Sequence, residues 1–174
     1  RLNKVFHTAV STHATALKHM NTRKQAATMF GQKIQRHFPV FGLMTYRSQY
    51  WFGTLALPEF DAEVEIIVRA NKDGISTAQI SAIQACLRQL ALIKTQTTVA
   101  MQQLFNECDL PLPALGEDIW TDMRPDSIEV TDAAYDTSTG KISVLLLFSS
   151  QSVAEFSPAI EVTDGEFVQL LSAT

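Results

Sequence analysis

The chain has no long apolar run. No segment approaches the roughly 18 uninterrupted apolar residues that a membrane-spanning helix requires, and Arg1–Lys4 lead into no apolar signal core. Of the 174 residues, 46% are hydrophobic, which is enough to bury the core of one domain with an appendage. These features predict a soluble, cytoplasmic globular protein.

The chain has only two cysteines, Cys86 and Cys108. Neither belongs to a Cys-x-x-Cys pair, so a redox motif or a structural metal site of that kind is not expected. Both lie on or beside apolar faces of predicted helices, where a free cysteine commonly packs in the core. A disulfide between them would require a helical hairpin that brings their Cα atoms within about 7 Å.

The familiar catalytic and metal-binding motifs are also missing. The sequence has no Gly-rich phosphate loop, no Gly-x-Ser-x-Gly and no His-Glu-x-x-His. All four histidines fall within the first 37 residues, and none has a histidine or carboxylate partner four residues later: His7, His13, His19 and His37. We therefore expect no metal ion, no cofactor and no catalytic residue.

Paired carboxylates are present, and they leave acid–base hydrolysis open. The pairs are Glu63/Glu65, Glu117/Asp118 and Asp122/Asp126. Glu117 and Asp122 are the candidates for such an enzyme. Glu63 and Glu65 alternate with apolar residues in a predicted strand, so they more simply mark the solvent-facing side of a half-buried sheet.

Acidic residues are absent from the first 37 positions, which carry seven basic residues. The remaining 137 residues hold seven basic and all 18 acidic residues, so the net charge of −4 conceals +7 in one part and −11 in the other. The basic part could attract nucleic-acid phosphates, although the acidic remainder would repel a duplex. Docking on the acidic domain or on a second copy is the simpler interpretation, and another protein is a further alternative.

Candidate partner-binding residues follow from this division of charge. They are basic residues near the N-terminus and two tryptophans that would anchor an interface if they are exposed: Lys18, Arg23, Lys24, Lys33, Arg36, Trp51 and Trp120. Core packing is the alternative for both tryptophans.

Residues 1–38 are predicted to form a basic helical arm, and residues 39–174 a single α+β domain. A heptad seam from Leu2 to His37 is largely apolar, which is typical of an amphipathic helix docked on a partner. A capping box at Thr22–Gln25 favours two helices within the arm. Phe38-Pro39 ends the arm, because proline disfavours helical geometry in the residue before it.

Strand and helix signals alternate in blocks along the rest of the chain. Ser76–Gln79 form a capping box that opens the first of two central helices, with a break expected near Leu92–Gln96. A short helix is predicted at Glu117–Met123. Strands are predicted before and after these helices: Phe41–Tyr46, Tyr50–Leu55, Ala62–Arg69, Ser127–Thr131, Lys141–Phe148, Pro158–Val162 and Glu166–Leu171. The fold class is therefore α+β, in the order helical arm, antiparallel β-meander, two central helices and a second antiparallel β-meander.

Residues 40–172 contain a series of short motifs: Phe41-Gly42, Trp51-Phe52-Gly53, Pro58-Glu59-Phe60, Ile75-Ser76-x-x-Gln79, Gln103-Leu104-Phe105 and Ile119-Trp120. Their order resembles the uncharacterised bacterial domains found beside polymorphic-toxin immunity genes. Members of that family often carry a Trp-Asp and Glu-His-Gly pair in the C-terminal sheet, and residues 148–157 of this chain have neither. The resemblance implies an immunity-type protein, and no functional residue carries over from it.

The lack of a catalytic constellation, together with the divided charge, predicts a non-enzymatic interaction protein. In this interpretation the acidic α+β body binds a basic protein surface, and the helical arm sets the oligomeric state. A small hydrolase with a carboxylate pair and a nucleic-acid-binding arm are the alternatives. No membrane contact is expected.

Overall fold

The computed structural model describes residues 33–110 and 118–173. Short 3-10 helices at Pro58–Phe60 and Ile119–Thr121 lead into the fourth and fifth strands, and Lys33–Ser172 form one compact unit. The described strands and α-helices follow in this order: β1 (Ile34–Phe38), β2 (Gly42–Arg47), β3 (Tyr50–Leu57), β4 (Ala62–Arg69), α1 (Thr77–Arg88), α2 (Leu90–Glu107), β5 (Met123–Val130), β6 (Ser143–Ser150), β7 (Ser157–Thr163) and β8 (Glu166–Ala173).

The eight described strands belong to one sheet and lie in the order of the sequence. Neighbours from β1 to β4 and from β5 to β7 pair antiparallel. The central strands β4 and β5 run parallel, with Ile66 opposite Ile128 and Val68 opposite Val130. The predicted architecture of two separate antiparallel meanders is therefore wrong, because the two halves join in a single mixed sheet.

The residues of the central pair explain this arrangement. Ile66, Ile67 and Val68 are buried although they point alternately to both faces, and Ile128 and Val130 are buried as well. Burial on both faces is typical of parallel pairing, and in β4 it is confined to Ile66–Val68, since Glu63 and Glu65 of the same strand are exposed. A parallel pair also needs a long crossover connection, which α1 and α2 supply.

Residues Ile34–Phe38 form a strand, so the prediction that the helical arm extends through them is wrong. β1 pairs with β2, with Ile34 opposite Tyr46 and Phe38 opposite Gly42. Ile34 and Phe38 pack against the core. They lie four positions apart, so they share a face in a strand, where the side-chain period is two, although the same residues also fit a helical heptad pattern. β1 joins the sheet although the predicted domain boundary follows residue 38. The predicted helices of residues 1–32 lie outside the described residues.

The predicted capping box at the start of α1 is confirmed. The Ser76 hydroxyl oxygen accepts from the Gln79 backbone N–H at 3.2 Å, and Gln79 Oε1 accepts from the Ser76 backbone N–H at 3.1 Å. This reciprocal pair satisfies two N–H groups that the first turn of a helix leaves without partners.

The predicted helix break near residues 92–96 is wrong, because α1 ends at Arg88 and α2 runs on through this stretch. The buried Thr97 is accommodated since its hydroxyl donates to Ile93 O at 2.8 Å. The helix predicted at residues 117–123 is also shorter than expected: one 3-10 turn covers Ile119–Thr121, and β5 begins at Met123.

Both α-helices lie on one face of the sheet. Their apolar residues pack there with the inward side chains of the strands. The opposite face, called the outer face below, carries a smaller cluster of Leu145, Ala159 and Leu171. Within residues 33–110 and 118–173, neither α1 nor α2 has the length and apolar character that crossing a membrane requires.

The turn between β7 and β8 touches α1. Asp164 and Gly165 have φ angles of 56° and 83°, as the predicted Asp-Gly hairpin requires. A Cβ atom on Gly165 would lie 3.1 Å from the backbone oxygen of Ala85 in α1. The absence of a side chain at position 165 therefore allows the hairpin to dock on the helix.

We expect Gly165→Ala to lower the free energy of unfolding by about 2 kcal/mol, because it adds a close contact to a positive φ. Gly42→Ala is the matched control: its φ is 66°, and a Cβ there would meet nothing within 4 Å. The control should cost about 1 kcal/mol from backbone strain alone. Urea denaturation measures both, and equal losses would contradict close docking of the hairpin.

Candidate functional site

Two of the predicted cationic partner contacts, Lys33 and Arg36, fall within the described residues, and both are exposed. Arg36 already contacts other residues of the same domain. Its Nη1 donates to Asp73 O at 2.6 Å, and its guanidinium carbon lies 5.9 Å from the ring centroid of Trp51. Three other predicted contacts lie outside the described residues: Lys18, Arg23 and Lys24.

The two tryptophans predicted as interface anchors differ in exposure. Trp51 is fully buried, and its Nε1 donates to Asn71 O at 2.9 Å, so its ring offers no surface to a partner. Trp120 is half-buried, and its Nε1 donates to Thr98 Oγ1 at 3.0 Å. Of the two, only Trp120 retains surface for a ligand.

Asp122, a candidate for carboxylate catalysis, forms hydrogen bonds with the end of β6 and with the loop that connects β6 to β7. Its two oxygens accept from Ser150 Oγ at 2.6 Å and from the Ser152 backbone N–H at 3.0 Å. Glu117 lies outside the described residues. Within residues 33–110 and 118–173, no three His, Cys, Asp or Glu side chains are grouped as a metal site. The hydrogen bonds of Asp122 therefore give it a structural role.

Both cysteines are free thiols. Cys86 is buried in the core, where burial raises the pKa of its thiol to about 12. The thiol is therefore protonated and unreactive at neutral pH. Cys108, at the end of α2, is half-buried. The predicted core position of Cys86 is confirmed.

The outer face of the central strands presents an acidic surface. Glu63 and Glu65 project from β4 on this face, and both are exposed. Their neighbours across the strand ladders are small: Ala56 lies opposite Glu63, while Thr54 and Ser127 flank Glu65. These five residues are called the acidic platform below.

The two glutamates of the platform have no cationic partner among residues 33–110 and 118–173. By contrast, the exposed Lys141 binds Asp164 at 2.8 Å. Residues two apart on a strand share one face, so the carboxylates of Glu63 and Glu65 repel each other in the folded protein. A cation supplied by another molecule would relieve this repulsion.

Further acids give the outer face a negative character beyond the platform. Glu161 on β7 is 8% exposed and accepts from Ser143 Oγ and Gln169 Nε2, each at 2.7 Å. The pKa of the half-buried Tyr135 is raised to about 12, first by burial and then by the negative charges of Glu161, Glu129 and Asp136. The three carboxylates add to the effect of burial because nearby negative charges disfavour the ionised phenolate.

A cleft of about 700 Å³ lies at the carboxyl ends of β4 and β5, beside the start of α1. Its buried side chain is Gln79, whose Nε2 donates to Arg69 O at 2.7 Å and to Thr131 O at 2.8 Å. Because its Oε1 accepts from Ser76, the amide has no bonding capacity left for a ligand. Gln79 therefore serves the fold.

The alternation of acidic and apolar residues in β4 correctly predicted the solvent-facing position of Glu63 and Glu65. It did not single them out as candidates for partner binding. Their small neighbours come from β3 and β5, so the flat surroundings are visible only once the strand register is known. No signal within β4 alone carries that information.

Comparisons of the chain with family models, with curated proteins and with solved structures found no match.

Proposed function

We propose that this chain is a cytoplasmic, non-enzymatic interaction domain that binds a basic protein surface through the acidic platform. The observation that carries the proposal is the pair Glu63 and Glu65, exposed on one face of a central strand without a cation among the described residues. Their small neighbours allow a partner to approach both carboxylates. A partner's Lys or Arg would be attracted to them, whereas an acidic partner would be repelled.

The distribution of charge supports a basic partner. Residues 38–174 carry a net charge of −11, which attracts a cationic protein at low ionic strength. The helical layer contributes little of this charge, since α1 and α2 contain only Arg88, Lys94 and Glu107 as charged residues. The acidic surface therefore lies mainly on the sheet and its loops. Self-association is the alternative choice of partner, and the +7 of the first 37 residues supports it.

The motifs in residues 40–172 support a finer proposal, namely that the chain is a bacterial immunity-type or accessory protein. A protein of that type acts by covering a partner and needs no catalytic group. An acidic binding surface suits this role, because it would complement a basic surface of the partner.

The test measures binding of a deca-lysine peptide to the full chain by titration calorimetry. The double variant Glu63→Gln/Glu65→Gln should bind about tenfold more weakly, since each exposed charge contact contributes roughly 0.7 kcal/mol. The matched control Glu107→Gln/Glu155→Gln removes the same charge from two other exposed positions. It should change the affinity by less than about twofold.

Equal weakening in the two double variants would contradict the proposal, because it would mean that only the total charge matters. Binding that is insensitive to salt would also contradict it, since contacts between exposed charges are screened. Turnover of a substrate by the purified chain would overturn the non-enzymatic assignment.

A further inference from the structure

A second cleft, of about 560 Å³, lies at the amino ends of the two parallel strands. The 3-10 turns that precede β4 and β5 each present an aromatic side chain there, Phe60 and Trp120. Because β4 and β5 are neighbours and run parallel, the two turns lie side by side, and the ring centroids are 5.3 Å apart. We call this site the aromatic cleft.

The aromatic wall of the cleft is held in place from behind. The fully buried Phe148 contacts both rings, with centroid distances of 5.2 Å to Phe60 and 5.4 Å to Trp120. The indole is also fixed by its hydrogen bond to Thr98 Oγ1 at 3.0 Å. A ligand would therefore meet rings that are already oriented, which lowers the entropy lost on binding.

Two cations line the same cleft, Lys94 of α2 and Arg124 of β5. Lys94 Nζ donates to Glu59 O at 2.6 Å and lies 4.9 Å from the ring centroid of Phe60. Neither cation forms an ion pair with Glu59, with Asp61 at the rim, or with another carboxylate of residues 33–110 and 118–173. Within the described residues, Lys94 and Arg124 therefore hold their positive charges at the aromatic wall without a neutralising carboxylate.

We propose that the aromatic cleft binds an aromatic carboxylate, which packs its ring against Trp120 and the edge of Phe60 and places its carboxylate at Lys94 and Arg124. An ammonium group has three donors, and Glu59 O uses one of those on Lys94. The guanidinium of Arg124 offers the planar fork that suits a carboxylate. The volume falls within the range of small-molecule sites. This site is separate from the acidic platform, and the two proposals fail independently.

The test titrates the full chain with N-acetyl-phenylalanine and follows the two indole N–H signals by NMR. We expect saturable binding with a Kd of about 1 mM. The Trp120 indole signal should shift, while that of the buried Trp51 stays in place. N-acetyl-phenylalaninamide, which keeps the ring but lacks the charge, should bind at least about tenfold more weakly.

Lys94→Gln and Arg124→Gln should each weaken binding of the acid by about three- to tenfold. Because Arg124 is exposed, Arg124→Gln should fold normally. It therefore keeps the proposal testable even if Lys94→Gln does not fold. Lys72→Gln is the matched control, since Lys72 is exposed and lines the other cleft. It should bind the acid like the unmodified chain.

The proposal is overturned if the acid does not saturate at about 20 mM, if the amide binds within about twofold of the acid, or if Arg124→Gln binds unchanged. The tripeptide Ala-Ala-Phe distinguishes the two sources of this chemistry. Tighter binding than N-acetyl-phenylalanine identifies a peptide carboxyl terminus, and equal or weaker binding identifies a free small molecule.

Discussion

Gln79→Ala is expected to lower the free energy of unfolding by about 3 kcal/mol, because it leaves buried hydrogen-bonding groups without partners. The side chain is 3% exposed, and its Nε2 joins Arg69 O of β4 to Thr131 O just after β5. The same amide completes the capping box with Ser76. One side chain thus ties the start of α1 to the ends of both parallel strands. Urea denaturation followed by tryptophan fluorescence measures the loss.

Two further variants separate the role of this amide from its size. Gln84→Ala, on the same helix, should change stability by less than about 0.5 kcal/mol, since its half-buried side chain is not hydrogen-bonded within the described residues. Gln79→Glu keeps the shape, but an ionised carboxylate cannot donate to the two carbonyls. Burial would raise the pKa of the new carboxyl group, so this variant should lose stability as the pH rises above the ordinary pKa of glutamate. A Gln79→Ala variant within about 1 kcal/mol of the unmodified protein would contradict the bridging role.

Trp51→Ala is expected to cost about 4 kcal/mol, since it removes the largest fully buried side chain from the core. The indole packs edge-on against Phe38 with ring centroids 5.0 Å apart, and it contacts Tyr46 at 5.3 Å. These contacts join β1, β2 and β3. Denaturation followed by far-UV circular dichroism is the suitable measurement, because the change itself alters fluorescence.

Trp51→Phe and Trp120→Ala serve as controls for this change. Trp51→Phe keeps most of the ring and loses the hydrogen bond to Asn71 O, so it should cost about 1–2 kcal/mol. Trp120→Ala should cost less than Trp51→Ala, because Trp120 is only half-buried. A Trp51→Ala variant no less stable than Trp120→Ala would show that the first ring is not central to the core.

Local features of this fold could be predicted from sequence because their causes are local. The capping box at Ser76 and Gln79 depends on two residues three positions apart, and the Asp164-Gly165 turn depends on two adjacent ones. The strands around Tyr50 and Ala62 also carry their own signals. Each of these elements is determined within a few residues.

The pairing of strands could not be predicted in the same way. β4 and β5 are separated by α1 and α2, and no local pattern states that Ile66 will lie opposite Ile128. At β1, the same residues fit both the heptad pattern of a helix and the two-residue alternation of a strand. Pairing with β2 selects the strand. The break between the helices was misplaced because Lys94 and Thr97 resemble interruptions. Each forms a hydrogen bond that makes it compatible with α2.

The candidate sites depend on the same non-local pairing. Glu63 and Glu65 were correctly expected on a solvent-facing side, yet their flat surroundings come from Ala56 and Ser127 on neighbouring strands. Similarly, Phe60 and Trp120 meet because the strands that follow them are paired. Sequence identified the residue types, and topology determines which of them come together.

Amide NMR of the full chain, titrated with deca-lysine at low salt, locates the bound peptide directly. If the outer face of β3, β4 and β5 receives a basic partner, the largest shift changes will map to the acidic platform: Thr54, Ala56, Glu63, Glu65 and Ser127. The changes should disappear at high salt, where contacts between exposed charges are screened. Shift changes concentrated on α1 and α2, with the platform unaffected, would contradict the proposed binding surface.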